Sequence, residues 1–219
     1  MCRDYTEIQE RLEAVRSSIS RIRLVDEIRI VAVTKTHTSD AVRAGLLAGL
    51  CDFGENYAIE LRDKAIADYP NGSRINWHFI GGIQRNKLSI ISRYASMIET
   101  VARKVEISYL VEHGYRGQIL VQVAPEGAEE TRNGAAASEV PALVESARHA
   151  GLRVVGLMGM ALPGTESQIG HYFAGVRRLG DSLDLKEFSM GMSSDYLIAV
   201  AEGATMIRLG SVLFGARAL

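Results

Sequence analysis

The sequence has few residues that could crosslink the chain or hold a structural metal ion. Of its 219 residues only Cys2 and Cys51 are cysteines, which excludes a framework of several disulfides and a four-thiolate metal site. The five histidines form no H-E-x-x-H pattern and no close pair. We therefore expect no structural zinc and no metal in the functional site.

Long apolar stretches and an excess of one charge are also missing. No apolar run reaches the roughly 20 residues of a membrane-spanning helix, and the N-terminal segment is charged throughout, unlike a signal peptide. With 25 basic and 26 acidic residues, the net charge of −1 suggests neither a nucleic acid nor an anionic membrane as a partner. These features, with the low cysteine content, predict a soluble cytoplasmic protein.

What the sequence does contain is a regular alternation of short apolar runs and helix-length segments, after an amphipathic first helix predicted at Tyr5–Ile22. The predicted strands are Ile28–Lys35, Asp52–Glu55, Ile75–Ile80, Met97–Val101, Gln118–Val123, Arg153–Met158, Glu187–Met190 and Thr205–Leu209. The predicted helices between them are Ser39–Leu50, Ala58–Tyr69, Asn86–Tyr94, Arg103–His113, Ser138–Ala150, Glu166–Ser182 and Ser194–Glu202. Continuous apolar strands such as IRIVAV are typical of a parallel sheet that is buried on both faces.

Strict alternation of strands and helices leaves two architectures, an open doubly wound sheet or a closed (β/α)8 TIM barrel. An open sheet that binds a dinucleotide carries a glycine-rich turn after its first strand, whereas the first turn here, VAVTKTHTSD, has no glycine. Eight units in a chain this short favour the closed barrel. No linker or low-complexity segment interrupts the pattern, so residues 1–219 are predicted to form a single domain.

Lys35 is the first candidate for chemistry, because β/α barrels place their sites at the C-terminal ends of the strands. It ends an apolar run, where desolvation would lower the pKa of its amine, and a neutral amine can form a Schiff base with an aldehyde. The alternative is a lysine that simply extends its charge into solvent from a strand end. That alternative is weakened because arginine supplies 20 of the 25 basic residues in this chain.

Two loops rich in serine and glycine follow the last two predicted strands, where barrels frequently bind phosphate. The loop Ser189–Asp195 contains Ser193 just before a helix. The loop Leu209–Ser211 contains Gly210, whose bare backbone can approach an anion, and the Ser211 hydroxyl. The alternative is that Ser193 only caps the next helix and that Gly210 only makes a turn.

Further polar residues lie in or directly after other strands. Arg208 lies between apolar neighbours, so it needs a carboxylate partner such as Glu55, or a ligand such as a heteroaromatic nitrogen. Asn56 could orient a ligand or cap a helix, and His78 is more commonly a hydrogen-bonded core residue than a catalytic base. An amine for an aldehyde, two phosphate loops and an arginine between them indicate a pyridoxal 5′-phosphate (PLP) site.

Six motifs resemble those of the YggS/PROSC family of pyridoxal phosphate homeostasis proteins. They are VAVTK with Lys35, FGENY (Phe53–Tyr57), WHFIGGIQRNK (Trp77–Lys87), GLMGM (Gly156–Met160), SMGMSSD (Ser189–Asp195) and IRLGSVLFG (Ile207–Gly215). The resemblance implies a barrel like the N-terminal domain of fold-type III alanine racemases, monomeric and with one bound PLP.

Carried over position by position, the resemblance assigns roles to individual residues. Lys35 would form the Schiff base with PLP, Asn56 would lie by the ring, and Arg208 would face the pyridine nitrogen. Ser193 would hold the phosphate together with the amides of Gly210 and Ser211. His78 and Met158 fall in family motifs and complete the predicted set of cofactor-binding residues.

This chain also departs from the family pattern at three places. Thr34 replaces the usual serine before the lysine, and the run THTSD replaces a common proline after it. Arg132 stands where the family often has a lysine after the fifth strand. Arginine cannot form a Schiff base, so a second aldehyde-binding role at that position is not expected.

Two arguments favour a carrier over an enzyme, and no residue is assigned a catalytic role. An arginine opposite the pyridine nitrogen keeps that nitrogen unprotonated, which makes the ring a weaker electron sink. Racemases of the resembled class also take a second acid–base group from an additional domain and subunit, which a single barrel does not provide.

We expect a protein that buffers PLP or delivers it to apoenzymes, with effects on amino-acid metabolism. The alternatives are an amino-acid racemase or lyase that uses Lys35 as its base, and a barrel that binds an ordinary sugar phosphate.

Overall fold

Eight parallel strands close into one ring in chain order, with the first strand paired to the last. The computed structural model describes residues 5–68, 75–127 and 134–215. The strands are β1 Arg29–Val33, β2 Asp52–Glu55, β3 Asn76–Phe79, β4 Met97–Val101, β5 Gln118–Val123, β6 Arg153–Gly159, β7 Glu187–Met190 and β8 Met206–Leu209. The predicted closed (β/α)8 barrel is confirmed, and the open doubly wound alternative is wrong.

Helices surround the ring and are joined to it by short loops. They are α1 Tyr5–Ile19, α2 Ser39–Leu47, α3 Ala58–Asp68, α4 Leu88–Tyr94, α5 Lys104–Glu112, α6 Val140–His149, α7 Glu166–Ser182, α8 Tyr196–Ala201 and α9 Ser211–Phe214, with 3-10 turns at Val25–Glu27 and Arg85–Lys87. The four-residue helix α9 was not predicted. Within the described ranges, no helix combines the length and apolar character needed to cross a membrane.

Two predicted elements extend past their observed ends close to a residue in a left-handed conformation. The first strand was predicted to reach Lys35 but ends at Val33, and Thr36 has a φ of 65°. The second helix was predicted to reach Leu50 but ends at Leu47, because Gly49 (φ 84°) reverses the chain and terminates the helix. Strands β2, β4, β5 and β7 and helix α7 have the predicted bounds. The predicted end of the helix at Tyr69 lies outside the described residues.

The core consists of two layers, because successive residues of a strand point to opposite faces of the ring. In β8, Ile207 and Leu209 pack outward against the helices, whereas Met206 joins a small cluster inside the barrel. That inner cluster consists of Val31, Met97, Leu120, Met158 and Met206. The same alternation turns Arg208 and His78, both buried, toward the barrel interior. Charged groups therefore share the interior with a few methionine and aliphatic side chains.

Candidate functional site

A cavity of about 650 Å³ opens at the C-terminal ends of the strands. Its volume lies in the usual range for sites that bind small molecules. Seven of the eight predicted cofactor-binding residues line it, namely Lys35, Asn56, Met158, Ser193, Arg208, Gly210 and Ser211. His37, Gly81, Thr100, Gln122 and Met160 are among the other lining residues. The structure thus brings together groups from β1, β2, β6, β7 and β8 or from the loops that follow them.

Lys35 lies in the loop after β1, and both of its neighbours in sequence are held by carboxylates from the next β/α unit. The Thr34 hydroxyl donates to Glu55 Oε1 at 2.6 Å, and the Thr36 amide donates to Glu60 Oε2 at 2.8 Å. A left-handed conformation at a residue such as Thr36 costs roughly 1–2 kcal/mol. These hydrogen bonds offset that cost and fix the direction in which Lys35 leaves the strand.

Lys64 of α3 joins the two carboxylates into one buried cluster. Its Nζ donates to Glu55 Oε1 at 2.6 Å, to the Thr34 carbonyl at 2.7 Å and to Glu60 Oε2 at 3.1 Å. Burial raises the pKa of Glu55, and the positive charge of Lys64 only partly opposes this effect. Lys64 therefore anchors the backbone directly before Lys35. The alternative pairing of Arg208 with Glu55 is wrong, since Glu55 points outward from the ring to α3.

The loops after β7 and β8 contact each other at the rim of the cavity. Ser193 Oγ accepts a weak hydrogen bond from the Val212 amide at 3.4 Å. The first turn before α8 is closed instead by Asp195, whose Oδ1 accepts from the Met192 amide at 2.6 Å. Ser193 is thus directed to the neighbouring loop. Among the described residues, no side-chain hydrogen bond caps α8, so the structure does not support Ser193 as a helix cap. Gly191 (φ 89°) makes this turn possible, since a side chain there would collide with Ala199.

Asn56 follows β2 and is packed tightly against the loop after β3. A Cβ atom at Gly81 would lie 1.9 Å from the Asn56 carbonyl oxygen, so only glycine allows this approach. The Asn56 side-chain oxygen is buried and accepts no hydrogen bond from the described residues. A buried acceptor without a partner costs free energy. A ligand that donates a hydrogen bond in this cavity would recover that cost.

Arg208 is held by hydrogen-bond acceptors on two other strands, β6 and β7. Its Nη1 donates to the Ser189 carbonyl at 2.7 Å and to Ser189 Oγ at 2.6 Å, and its Nη2 donates to the Gly159 carbonyl at 2.9 Å. The Glu99 carboxylate lies 3.9 Å from Nη1. Burial lowers the pKa of Arg208, and the charge of Glu99 opposes this. Since an arginine keeps its proton in proteins, the cavity contains a fixed positive charge.

His78 does not line the cavity, and the expectation that it binds the cofactor is not supported by its position. Its Nδ1 lies 2.6 Å from Glu99 Oε1 and its Nε2 lies 3.0 Å from Asp52 Oδ1, so both ring nitrogens are engaged deeper in the barrel. The register agrees with this depth, because His78 pairs with Met97, the first residue of β4, and its ring reaches Asp52, the first residue of β2. The interpretation of His78 as a hydrogen-bonded core residue agrees with the structure.

The environment of His78 predicts a pH dependence of stability. Burial lowers the pKa of His78, but the hydrogen bonds to Asp52 and Glu99 outweigh it and raise the pKa from 6.5 to about 9. The folded state holds this proton more tightly than the unfolded state. Its stabilisation is therefore complete below about pH 6.5 and is lost as the pH rises through about 9, on the order of 3 kcal/mol. Urea unfolding of the apoprotein at several pH values measures this loss.

The matched control for this prediction is His78→Gln, which keeps a hydrogen-bond donor but has no proton to lose in this range. We expect the variant to be less stable than the parent at pH 6 and to lose little further stability up to pH 9.5. An equally steep loss in both proteins would assign the titration to another group.

The sequence analysis did not single out Glu99, Lys64 or His37. A glutamate within the apolar strand MIETV was the available signal for Glu99, because a charge at a buried strand position requires partners. His37 follows Lys35 by two residues and lines the cavity, and its ring lies 5.5 Å from the ring of Phe214.

Arg132 lies outside the described residues. Within them, no group of three His, Cys, Asp or Glu side chains is placed to hold a metal ion.

The fold and the cavity together define a class: a (β/α)8 barrel that binds a small molecule at its mouth, with a lysine after β1 and serine–glycine loops after β7 and β8. Residues 4–218 match the family described as alanine racemase, N-terminal domain. The chain belongs to this family and, within it, to the YggS/PROSC group of pyridoxal phosphate homeostasis proteins.

Relatives of known name support this assignment. The pyridoxal phosphate homeostasis protein of Pseudomonas aeruginosa is 40% identical over 200 residues, which cover 87% of this chain and 85% of that protein. The protein of the same name from Deinococcus radiodurans is 36% identical over 205 residues, which cover 88% of this chain and 91% of that protein.

Solved structures also support the family assignment and the fold. PipY of Synechococcus elongatus PCC7942, solved with PLP bound, is 31% identical with a TM-score of 0.83, over 95% of this chain and all of that chain. Lysine decarboxylase from Selenomonas ruminantium is 14% identical with a TM-score of 0.75, over 95% of this chain and 61% of that chain. The likeness to the decarboxylase concerns the fold alone.

Proposed function

We propose that this protein binds PLP at the barrel mouth and serves PLP homeostasis in the cell, with Lys35 holding the cofactor as a Schiff base. The observation that carries the proposal is the convergence of Lys35, Arg208, Ser193, Gly210 and Ser211 on one cavity. The names of the relatives and the PLP in the PipY structure support the same ligand.

The residues present fit the cofactor chemically. PLP carries an aldehyde, a phosphate, a ring nitrogen that accepts a hydrogen bond and a phenolic oxygen that can donate one. The cavity offers an amine, two hydroxyls beside a glycine backbone, a guanidinium and the buried Asn56 oxygen that lacks a donor. Lys35 and Arg208 also place two basic groups in the cavity, which suits a ligand with an anionic phosphate.

Each group has a distinct task in this proposal. The Lys64 cluster orients Lys35 toward the aldehyde, and Ser193, Gly210 and Ser211 bind the phosphate. Asn56 lies beside the ring, Arg208 donates to the ring nitrogen, and Met158 provides an apolar wall. When bound, PLP supplies an electrophilic carbon and an electron-withdrawing ring.

We further propose that the protein is a carrier and not an enzyme. A permanently charged arginine at the ring nitrogen leaves that nitrogen unprotonated, and such a ring stabilises a carbanion poorly. The partners would then be PLP-requiring apoenzymes in the cytoplasm, and the carrier would act as a monomeric single domain of residues 1–219. These last points remain predictions.

An amino-acid racemase or lyase is the second candidate function, and His37 is the observation that favours it. A racemase needs an acid–base group besides the lysine, and His37 lines the same cavity as Lys35. The single barrel therefore does contain a second titratable side chain at the site.

The deciding experiment is a visible spectrum of the purified protein, with PLP added, before and after borohydride, followed by peptide mapping. We expect a visible band that disappears on reduction and a pyridoxyl group on the peptide that contains Lys35. A colourless, unlabelled protein would support the sugar-phosphate alternative, and a label on another lysine would refute the assignment of Lys35.

A second measurement separates carrier from racemase. The PLP-loaded protein is incubated with each enantiomer of several amino acids in deuterated water. A carrier is expected to show no sustained exchange of the α-hydrogen. Catalytic exchange that is lost in His37→Gln would instead establish the racemase or lyase function.

A further inference from the structure

A continuous line of hydrogen bonds runs from the cavity into the barrel. Arg208 Nη1 donates to Ser189 Oγ at 2.6 Å, and Ser189 Oγ donates to Glu99 Oε2 at 2.6 Å. Glu99 Oε1 accepts from His78 Nδ1 at 2.6 Å, and His78 Nε2 donates to Asp52 Oδ1 at 3.0 Å. Every link is a bond between side chains, so the arrangement does not follow from backbone pairing.

These bonds cross the interior of the barrel. Ser189 is on β7 and Glu99 is on β4, and these two strands are not neighbours in the ring. A bond between them can only pass through the space that the ring encloses. Glu99 and Ser189 have no exposed surface, and Arg208 and His78 are at most 3% exposed. The line is therefore shielded from water, where each charge interacts strongly with its neighbours.

The charges along this line alternate in sign. Burial raises the pKa of Glu99, but the hydrogen bond and charge of His78, with the charge of Arg208, lower it below its usual value. The raised pKa of His78, about 9, means that the imidazole is protonated at neutral pH. Glu99 is thus an anion between two cations, His78 below it and Arg208 above it. Asp52 and Arg29, 3.8 Å apart, continue the alternation toward the opposite end of the barrel.

We propose that Glu99, fixed by His78, is a positioning residue of the cofactor site: through Ser189 it holds the Arg208 guanidinium in the place from which it binds the cofactor ring. This inference rests on the proposed function, because it concerns how Arg208 meets the ring nitrogen. It also gives a role to His78, whose motif position the cavity itself does not explain. The histidine acts on the cofactor through Glu99, Ser189 and Arg208 and does not touch it.

The physical reason is that Arg208 donates its hydrogen bonds to neutral acceptors, and that Glu99 is the anion that stabilises its charge most, ahead of Asp195. The Ser189 and Gly159 carbonyls accept its hydrogen bonds, and Glu99 supplies the nearby negative charge. Without that charge, the buried guanidinium loses the anion that stabilises it most, and a buried cation that lacks a close opposite charge favours displacement toward water. His78 in turn occupies the second Glu99 oxygen and so fixes the carboxylate in the orientation that reaches Ser189.

The test compares Glu99→Gln with Arg208→Lys in the full chain, by the dissociation constant for PLP and the absorption maximum of bound PLP. Glu99→Gln keeps the shape of the side chain and removes its charge. We expect it to weaken PLP binding about tenfold and to shift the absorption maximum in the same direction as Arg208→Lys. The double variant is expected to bind PLP about as weakly as Arg208→Lys alone, because both changes act through one guanidinium.

Glu106→Gln is the matched control. Glu106 is a buried glutamate in the first turn of α5, and its carboxylate caps α5 by accepting from the Ala102 and Arg103 amides at 2.8 and 3.0 Å. We expect this variant to lose stability while its absorption maximum and its affinity for PLP stay unchanged. The control thus separates a general loss of stability from a specific effect on Arg208.

Ser189→Ala keeps the test valid if Glu99→Gln does not fold. It removes only the hydroxyl that links Glu99 to Arg208, and it should shift the absorption maximum in the same direction. A parent protein that binds no PLP would overturn the proposed function itself. Two results would overturn only the present inference, provided that the parent binds PLP. In the first, the variants at positions 99 and 189 have the same affinity for PLP and the same absorption maximum as the parent. In the second, the effects of Glu99→Gln and Arg208→Lys on PLP binding are additive.

Discussion

Lys35→Ala is expected to lose covalent attachment of PLP completely, while its free energy of unfolding stays within about 1 kcal/mol of the parent. Lys35 lies in the loop after β1, at the cavity wall, and contributes its amine to the proposed linkage. No other side-chain type at the cavity can replace a primary amine in that reaction. The measurement is borohydride reduction in the presence of PLP, followed by mass spectrometry of the intact protein and urea unfolding.

The control for this prediction uses the remaining lysines. Lys186→Ala removes an exposed lysine that forms a surface ion pair with Asp184, and the labelling of this variant should match that of the parent. Residual non-covalent binding of PLP to Lys35→Ala is expected, since the phosphate loops and Arg208 are intact. Global unfolding of Lys35→Ala would show that the residue is structural, and undiminished labelling would remove it from the proposed site.

Lys64→Met is expected to lower the free energy of unfolding by about 3–5 kcal/mol, the usual cost of removing one partner from a buried ion pair. Lys64 is 4% exposed, and it binds Glu55 and Glu60 together with the Thr34 carbonyl. Methionine fills a similar volume, so the lost free energy of unfolding comes from the missing charge and hydrogen bonds more than from a change in packing. Urea unfolding of the apoprotein measures it directly.

The double variant Lys64→Met with Glu55→Gln provides the internal control. When both charges are removed, no buried ion is left without a partner, so the double variant should be more stable than the sum of the two single effects predicts. Additive losses would show that Lys64 and Glu55 do not depend on each other. A parent-like stability of Lys64→Met would mean that the buried cluster contributes nothing to the fold.

The architecture was accessible from the sequence because two periodicities alternate eight times. Apolar strands such as GQILVQV and the amphipathic pattern of Glu166–Ser182 gave β5 and α7 with their observed ends. Element ends failed where a single residue takes a left-handed conformation, as at Thr36, because no propensity marks a threonine for that role. The Thr36 conformation depends on a hydrogen bond that the Thr36 amide donates to the carboxylate of Glu60, which is remote in sequence.

Only those residues of the candidate site that lie at strand ends or in recognised motifs could be predicted from the sequence. Lys35, Asn56 and the loops after β7 and β8 follow from the rule that barrel sites lie at strand ends. His78 shows the limit of this reasoning, because its motif membership does not reveal its depth in the barrel. That depth depends on the register between β2, β3 and β4. The bonds of Glu99 to Ser189 and of Lys64 to Glu55 join distant segments, and single-sequence patterns contain no information about them.

The pairing of β1 with β8 has a consequence for when the site comes into existence. Ala32 is the register partner of Leu209, so the loops that carry Lys35 and Ser211 are neighbours across the seam where the ring closes. During synthesis, Lys35 leaves the ribosome long before Ser211, since the two residues are far apart in sequence. In the proposed site, a chain without β8 has Lys35 but lacks the loop with Gly210 and Ser211. Binding of PLP through both loops would therefore require that β8 has paired with β1 and closed the ring.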